Sequence, residues 1–109
     1  MKKHERIVLM KMRNYAHQAI EFKGDLDFAG FSNDYKTICA CVLNISQIGE
    51  LVNRLDDEFI KKHTHIPWRG MKDMRNRIVH DYEGIKYDVV WDVLVNFLPK
   101  LIKDIEELE

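Results

Sequence analysis

Apolar side chains recur every three or four residues along most of this chain, a period that suits helices and excludes strands. Val8, Met12, Tyr15, Ala19 and Phe22 form one such stripe. It predicts an amphipathic helix from about residue 4 to 23. Ile38, Val42, Ile45, Ile48, Val52, Leu55 and Phe59 form a second stripe, for a helix from about 34 to 55, extending at most to about 60. Val90, Leu94, Phe97, Leu101, Ile105 and Leu108 form the last, for a helix from about 87 to 108. No alternation with a period of two competes with these stripes.

Punctuation agrees with the stripes. "GDLDFAGFSND" carries two glycines and the cap-type residues Ser32, Asn33 and Asp34, so it separates the first two helices. "KKHTHIPW" reads as a loop, with Ile66 pushed toward extended backbone by Pro67. Proline suits a first helical turn, which starts a third helix at about 67. That helix runs to about 82, with Gly84 as a left-handed stop. Pro99 falls inside the last stripe, so that helix either kinks or splits there. The fold expected is all-α: an antiparallel four-helix bundle, with a fifth short helix as the variant, in one domain over residues 1–109. The chain's 109 residues suffice to bury a core.

No apolar run approaches the ~20 residues of a membrane span. The N-terminus "MKKHERIVLMKMRNY" is charged throughout and has no secretory h-region. The expected setting is therefore cytoplasmic, with no membrane partner. Cys39 and Cys41 are spaced C-x-C and diverge on a helix, so they read as small apolar fillers. His63 and His65 could ligate a metal, but no cysteine or carboxylate cluster supports them. No metal and no cofactor is expected. Trp68 and Trp91 read as core residues, and the acidic end "IKDIEELE" as a solvated helix end.

Charge is distributed unevenly. Residues 61–80 hold six Lys/Arg and one acid, whereas residues 81–109 hold three Lys and eight acids. Either the two segments pair with each other or the basic one meets an anionic partner. Its centre is "MRNRIVHDY", residues 74–82. On a helical wheel with Arg75 at zero, Met71, Met74, Ile78, Val79 and Tyr82 fall between about −100° and +40°. Arg75 thus sits inside the apolar arc, where a cation needs a partner; Glu50 on the preceding helix is the candidate. Asn76, His80, Asp73 and Arg77 occupy the other side. A histidine at a helix end can exchange protons near neutral pH, and a guanidinium can neutralise a phosphate. Together they are sufficient equipment for metal-free transesterification of RNA. In a regular helix, however, Arg75 and His80 stand roughly 140° and 7.5 Å apart. Convergence on one phosphate requires an unwound helix end or a second subunit, and Met71, Met74 and Ile78 are candidates for a shared two-fold surface.

The stretch resembles the HEPN superfamily, whose members carry Arg-x4–6-His, and in particular its HepT-type toxin branch with Arg-x4-His-x-Tyr. Arg75, His80 and Tyr82 fit that form. "QIGE" at 47–50, "IPWRGMKDMRNRIVHDYEGI" at 66–85 and "VVWDVLVNFLPKL" at 89–101 are similar to the same family. Lys86 departs from it, standing where an acidic cap is expected. The resemblance implies a dimerising helical bundle and a metal-independent endoribonuclease, the toxin of a toxin–antitoxin pair. It implies Arg75 and His80 as catalytic residues; beside them, Asn76 and Glu50 are read from their positions as supporting residues, and Arg69, Lys72 and Arg77 from their charge as RNA-binding. It also implies a minimal nucleotidyltransferase antitoxin of the MntA type that transfers AMP to Tyr82. The same sequence is compatible with a non-catalytic, nucleotide-binding helper subunit docked on a nucleotidyltransferase, or with a purely structural helical module.

Overall fold

The computed structural model describes residues 1–108; Glu109, the last residue of the acidic end, lies outside the described residues. The structure is all-α, with no strand among the described residues. The elements are α1 (Lys3–Lys23), α2 (Phe28–Ser32), α3 (Tyr35–Val52), α4 (Asp57–Lys62), α5 (Trp68–His80), a 3-10 turn (Tyr82–Gly84), α6 (Tyr87–Asp92), a π-helical turn (Val93–Phe97) and α7 (Leu98–Leu108).

Helix α1 packs on α3 and α7, and α3 packs on its other side against α5. The stripes read from sequence form the contact faces. Val8, Met12 and Ala19 of the first, Ile38 to Phe59 of the second, and Val90, Leu94, Leu101 and Ile105 of the last are buried. Each large apolar side chain so buried contributes about 1.5–3 kcal/mol against exposure. Tyr15, Phe97 and Leu108 are half-buried, and Phe22 is 45% exposed in the last turn of α1, which ends at Lys23 before Gly24 turns the chain away at φ 54°. Trp68 is buried and donates from Nε1 to the His63 carbonyl at 2.9 Å. Trp91 is half-buried against Phe28 and Phe31, with Lys23 over its ring.

Two helix ends differ from the expected ones. Helix α3 stops at Val52 instead of running to 55. The amides of Asn53, Arg54 and Leu55 bond carbonyls three residues back, at Glu50, Leu51 and Val52. This tightening ends the helix, yet Leu55 and Phe59 still reach the core, Phe59 from the short α4. Helix α5 stops at His80, two residues early, because Asp81 leaves the helical region at φ −149°, ψ 55°. Gly84 is no left-handed stop, since Gly24 alone carries positive φ among the described residues. The last stripe is carried by two α-helical pieces, α6 and α7, joined through a π turn that ends just before Pro99. Proline lacks the amide for a normal helical bond and its ring crowds the carbonyl four residues back, at Val95. The π turn at Val93–Phe97 absorbs this locally, with the Leu98 amide bonding the Val93 carbonyl five residues back. Lys86 does not delay α6, which starts at Tyr87 with Asp88 in its first turn.

Candidate functional site

Helix α5 runs back along α3, held at two points. At the first, Gly49 of α3 faces Arg75 and Met71 of α5. A Cβ at Gly49 would stand 2.5 Å from the Arg75 Cβ and 2.5 Å from the Met71 carbonyl oxygen. Only a glycine permits this approach. It lays the Arg75 stem across α3 and carries its head to Glu50, where Nε lies 2.9 Å from Oε2. The Glu50 Oε2 atom is buried and accepts no well-aligned hydrogen bond. The contact is therefore a close ion pair in which the N–H points aside. Arg75 Nη1 also donates to Asn76 Oδ1 at 3.0 Å. With side chains 30% and 46% exposed, the pair adds at most about 1 kcal/mol to stability; its main effect is orientation. The remaining guanidinium N–H groups can still meet an anion.

At the second point, beyond the end of α5, the Tyr82 hydroxyl lies 3.0 Å from Cys39 Sγ on α3. Hydrogen bonding to Cys39, and then to Tyr35, pushes the Tyr82 phenol well above its ordinary range. This corrects the expected placement of Tyr82 on one helical line with Arg75. That line required the helix to continue to 82, and the non-helical Asp81 redirects the chain. Tyr82 instead belongs to a 3-10 turn that folds onto the start of α3.

Between the two points lie exposed apolar side chains, Leu43 on α3 and Val79 on α5, 62% and 52% exposed. Val79, in the apolar arc on the helical wheel, is thus exposed to solvent. Met71 and Ile78, candidates for a shared surface, are buried within the chain, and Met74 is half-buried. Met71 and Met74 line an apolar groove of about 290 Å³ toward Val93 and Phe97.

His80 is exposed, and among the described residues its side chain forms no hydrogen bond or ion pair. It shares the solvent face of α5 with Arg69, Lys72, Asn76 and Arg77, all exposed. These five span about 140° of arc. Asp73 is the acid among them, so the face is strongly basic. The structure thus brings Arg75 together with Glu50 and Asn76, and places His80 with the basic residues on the adjoining face. It does not bring Arg75 and His80 to one point. Helix α5 is regular through His80, so unwinding does not close the gap.

Sequence reading overlooked Gly49, Cys39 and Tyr35. Their signal was positional: Tyr35, Cys39, Leu43 and Glu50 fall within about 80° on α3, the face that meets α5. His63 and His65 join no metal-binding group. Among the described residues, the one cluster with suitable donors is His4, Glu5 and Asp56. Lys2 already occupies it, its Nζ bonding Asp56 at 3.0 Å and its amide bonding Glu5 at 2.9 Å. No helix is long and apolar enough to cross a membrane.

A helical domain with this motif at the end of one helix defines a class, and comparison with known proteins places the chain in it. The family model described as "Ribonuclease HepT-like" matches residues 12–108, and the chain belongs to that family. It is 37% identical to the Methanocaldococcus jannaschii protein named "Putative RNase MJ0127", over 98% of this chain and 88% of that one. It is 33% identical to the "Probable ribonuclease HepT" of Thermococcus cleftensis, over 81% of this chain and 80% of that one. A third relative, "Putative RNase TTE0752" of Caldanaerobacter subterraneus, is 33% identical over 82% of this chain and 80% of its own. No solved structure matches the chain significantly.

Proposed function

We propose that this protein is a metal-independent endoribonuclease, the toxin of a toxin–antitoxin pair, with Arg75 and His80 as its catalytic residues. Membership in the HepT-like ribonuclease family carries the reading. The exposed His80 on a basic helix face beside Arg75 supplies the chemistry. His80 takes the proton of an RNA 2′-hydroxyl, and the oxygen attacks the adjacent phosphorus. The bond from phosphorus to the 5′-oxygen breaks, and that oxygen leaves with a proton from solvent. The products are a 2′,3′-cyclic phosphate and a 5′-hydroxyl. Arg75, aimed by Glu50 and Asn76, balances the charge that builds on the phosphoryl oxygens. Arg69, Lys72 and Arg77 hold the flanking backbone.

The active unit in this proposal is a homodimer. One chain holds Arg75 and His80 on different faces of a regular helix, so a two-fold cleft combining both copies completes the site. Leu43 and Val79, exposed beside Arg75, are the apolar side chains for that interface.

Control rests on Tyr82, which accepts AMP from a minimal nucleotidyltransferase antitoxin of the MntA type. The added phosphodiester places negative charge where the RNA backbone binds. The test is cleavage of a labelled RNA in EDTA. The wild-type protein should cut and leave cyclic phosphate ends, while His80→Ala and Arg75→Ala should each lose about 100-fold or more. Full activity in both variants, from nuclease-free preparations, removes the assignment.

A further inference from the structure

The Tyr82 turn closes one side of a second cavity, of about 190 Å³, on the same flank of the molecule as the motif. Three tyrosines line it, Tyr35 from α3, Tyr82 from the turn and Tyr87 from α6, together with Ile38, Ile85 and Glu83. The residues Tyr35, Tyr82 and Tyr87 are 59%, 38% and 37% exposed. Burial of an apolar core does not require three partly exposed phenols around one small hollow. The Cys39 contact fixes the Tyr82 ring, so one wall is held in place before any ligand arrives.

We propose that this pocket is a nucleobase subsite. The reading rests on the RNA-cleaving role above and deepens it by naming where a base goes. The cavity is too small for a helix or a peptide segment and suits one planar ring system. Unstacked bases are held on tyrosine faces, with an apolar floor beneath. Glu83 adds a preference. Its carboxylate is an acceptor only, and the exocyclic amine of cytosine or adenine offers it two protons outside the ring where uracil offers only its N3–H, which favours the amino bases. A nucleotide carried on the Tyr82 oxygen would bring its own base to the same pocket. The ligand chemistry is thus a nucleobase, whether supplied by the RNA or by the modification.

The test is a binding measurement that needs no cleavage. Methyl chemical shifts of Ile38 and Ile85 are followed by NMR while AMP, CMP, UMP or ribose 5-phosphate is added to the unmodified protein. AMP and CMP should move both methyls, UMP less, and ribose 5-phosphate not at all. Tyr35→Ala and Tyr87→Ala should each weaken AMP binding at least about fivefold, the low end for loss of one stacked ring. Glu83→Gln should erase the preference over UMP. A 2′-deoxy oligoadenylate, which cannot be cut, reproduces the shifts if RNA is the source. Protein modified on Tyr82 shows them without added ligand if the attached nucleotide is. Equal shifts with ribose 5-phosphate, or AMP binding unchanged in both tyrosine variants, overturns the subsite. Cleavage can fail while base binding stands, and base binding can fail in an active nuclease, so the two readings are separately tested.

Discussion

Replacing Gly49 with alanine sets helix propensity against packing. Alanine is favoured over glycine inside a helix by about 1 kcal/mol, and Gly49 lies well within α3. Propensity alone therefore predicts a more stable protein. Packing predicts the reverse, because the new Cβ would stand 2.5 Å from both the Arg75 Cβ and the Met71 carbonyl oxygen. Comfortable carbon contacts begin near 3.5 Å, so α3 and α5 must part by roughly 1 Å. The atoms met are a Cβ and a backbone oxygen, neither able to swing aside. Overpacking of this kind costs about 1–3 kcal/mol, and its upper half applies here. The net expectation for Gly49→Ala is a loss of about 1–2 kcal/mol, or a fall in melting temperature of roughly 5–10 °C. Gly70 is the internal control, since a Cβ there meets nothing closer than Pro67 Cβ at 3.8 Å. Gly70→Ala should be neutral or slightly stabilising. Circular dichroism melts and urea titrations of both variants decide the matter. If Gly49→Ala melts at or above the wild-type temperature, the close approach that positions Arg75 against Glu50 is wrong.

Further outcomes follow from the other contacts. Incubated with its nucleotidyltransferase, ATP and Mg²⁺, the wild-type protein should gain AMP mass and Tyr82→Phe none; equal modification of both would move the acceptor elsewhere. Hydrogen bonding raises the Tyr82 phenol, so ultraviolet titration should show one of the four tyrosines ionising last, and Tyr82→Phe should remove that late step. The folded state favours the protonated phenol. This contribution to stability is complete below the ordinary tyrosine pKa of about 10 and is lost as pH rises beyond it. Burial pushes the Cys41 thiol up to about 11, so a thiol reagent at pH 8 should label Cys39 in the native protein and reach Cys41 only on unfolding. Light scattering at micromolar concentration should report a dimer, and Leu43→Asp with Val79→Asp should return monomers; a wild-type monomer mass refutes the two-fold cleft.

The sequence alone determined that the chain is helical and which faces go inward. Those are local properties: the three-and-four spacing of apolar residues states the period of the backbone, and most stripe residues are buried. It also showed the motif, because Arg75, His80 and Tyr82 are close along the chain, and it suggested the Glu50 partner because a half-buried cation needs one. Tertiary structure decided how those residues are divided in space. The Gly49 approach is visible only once α3 and α5 are packed, since its meaning lies in atoms of another helix. The departure of Tyr82 from the Arg75 line depends on the non-helical Asp81 and on a sulfur 43 residues away in sequence. The same holds for Pro99, whose local rule offered a kink or a break. A π turn joins α6 to α7 there, and Val90, Leu94, Leu101 and Ile105 are all buried. Spacing along the chain specifies a face of one helix; what that face meets is set by long-range packing, which no local period encodes.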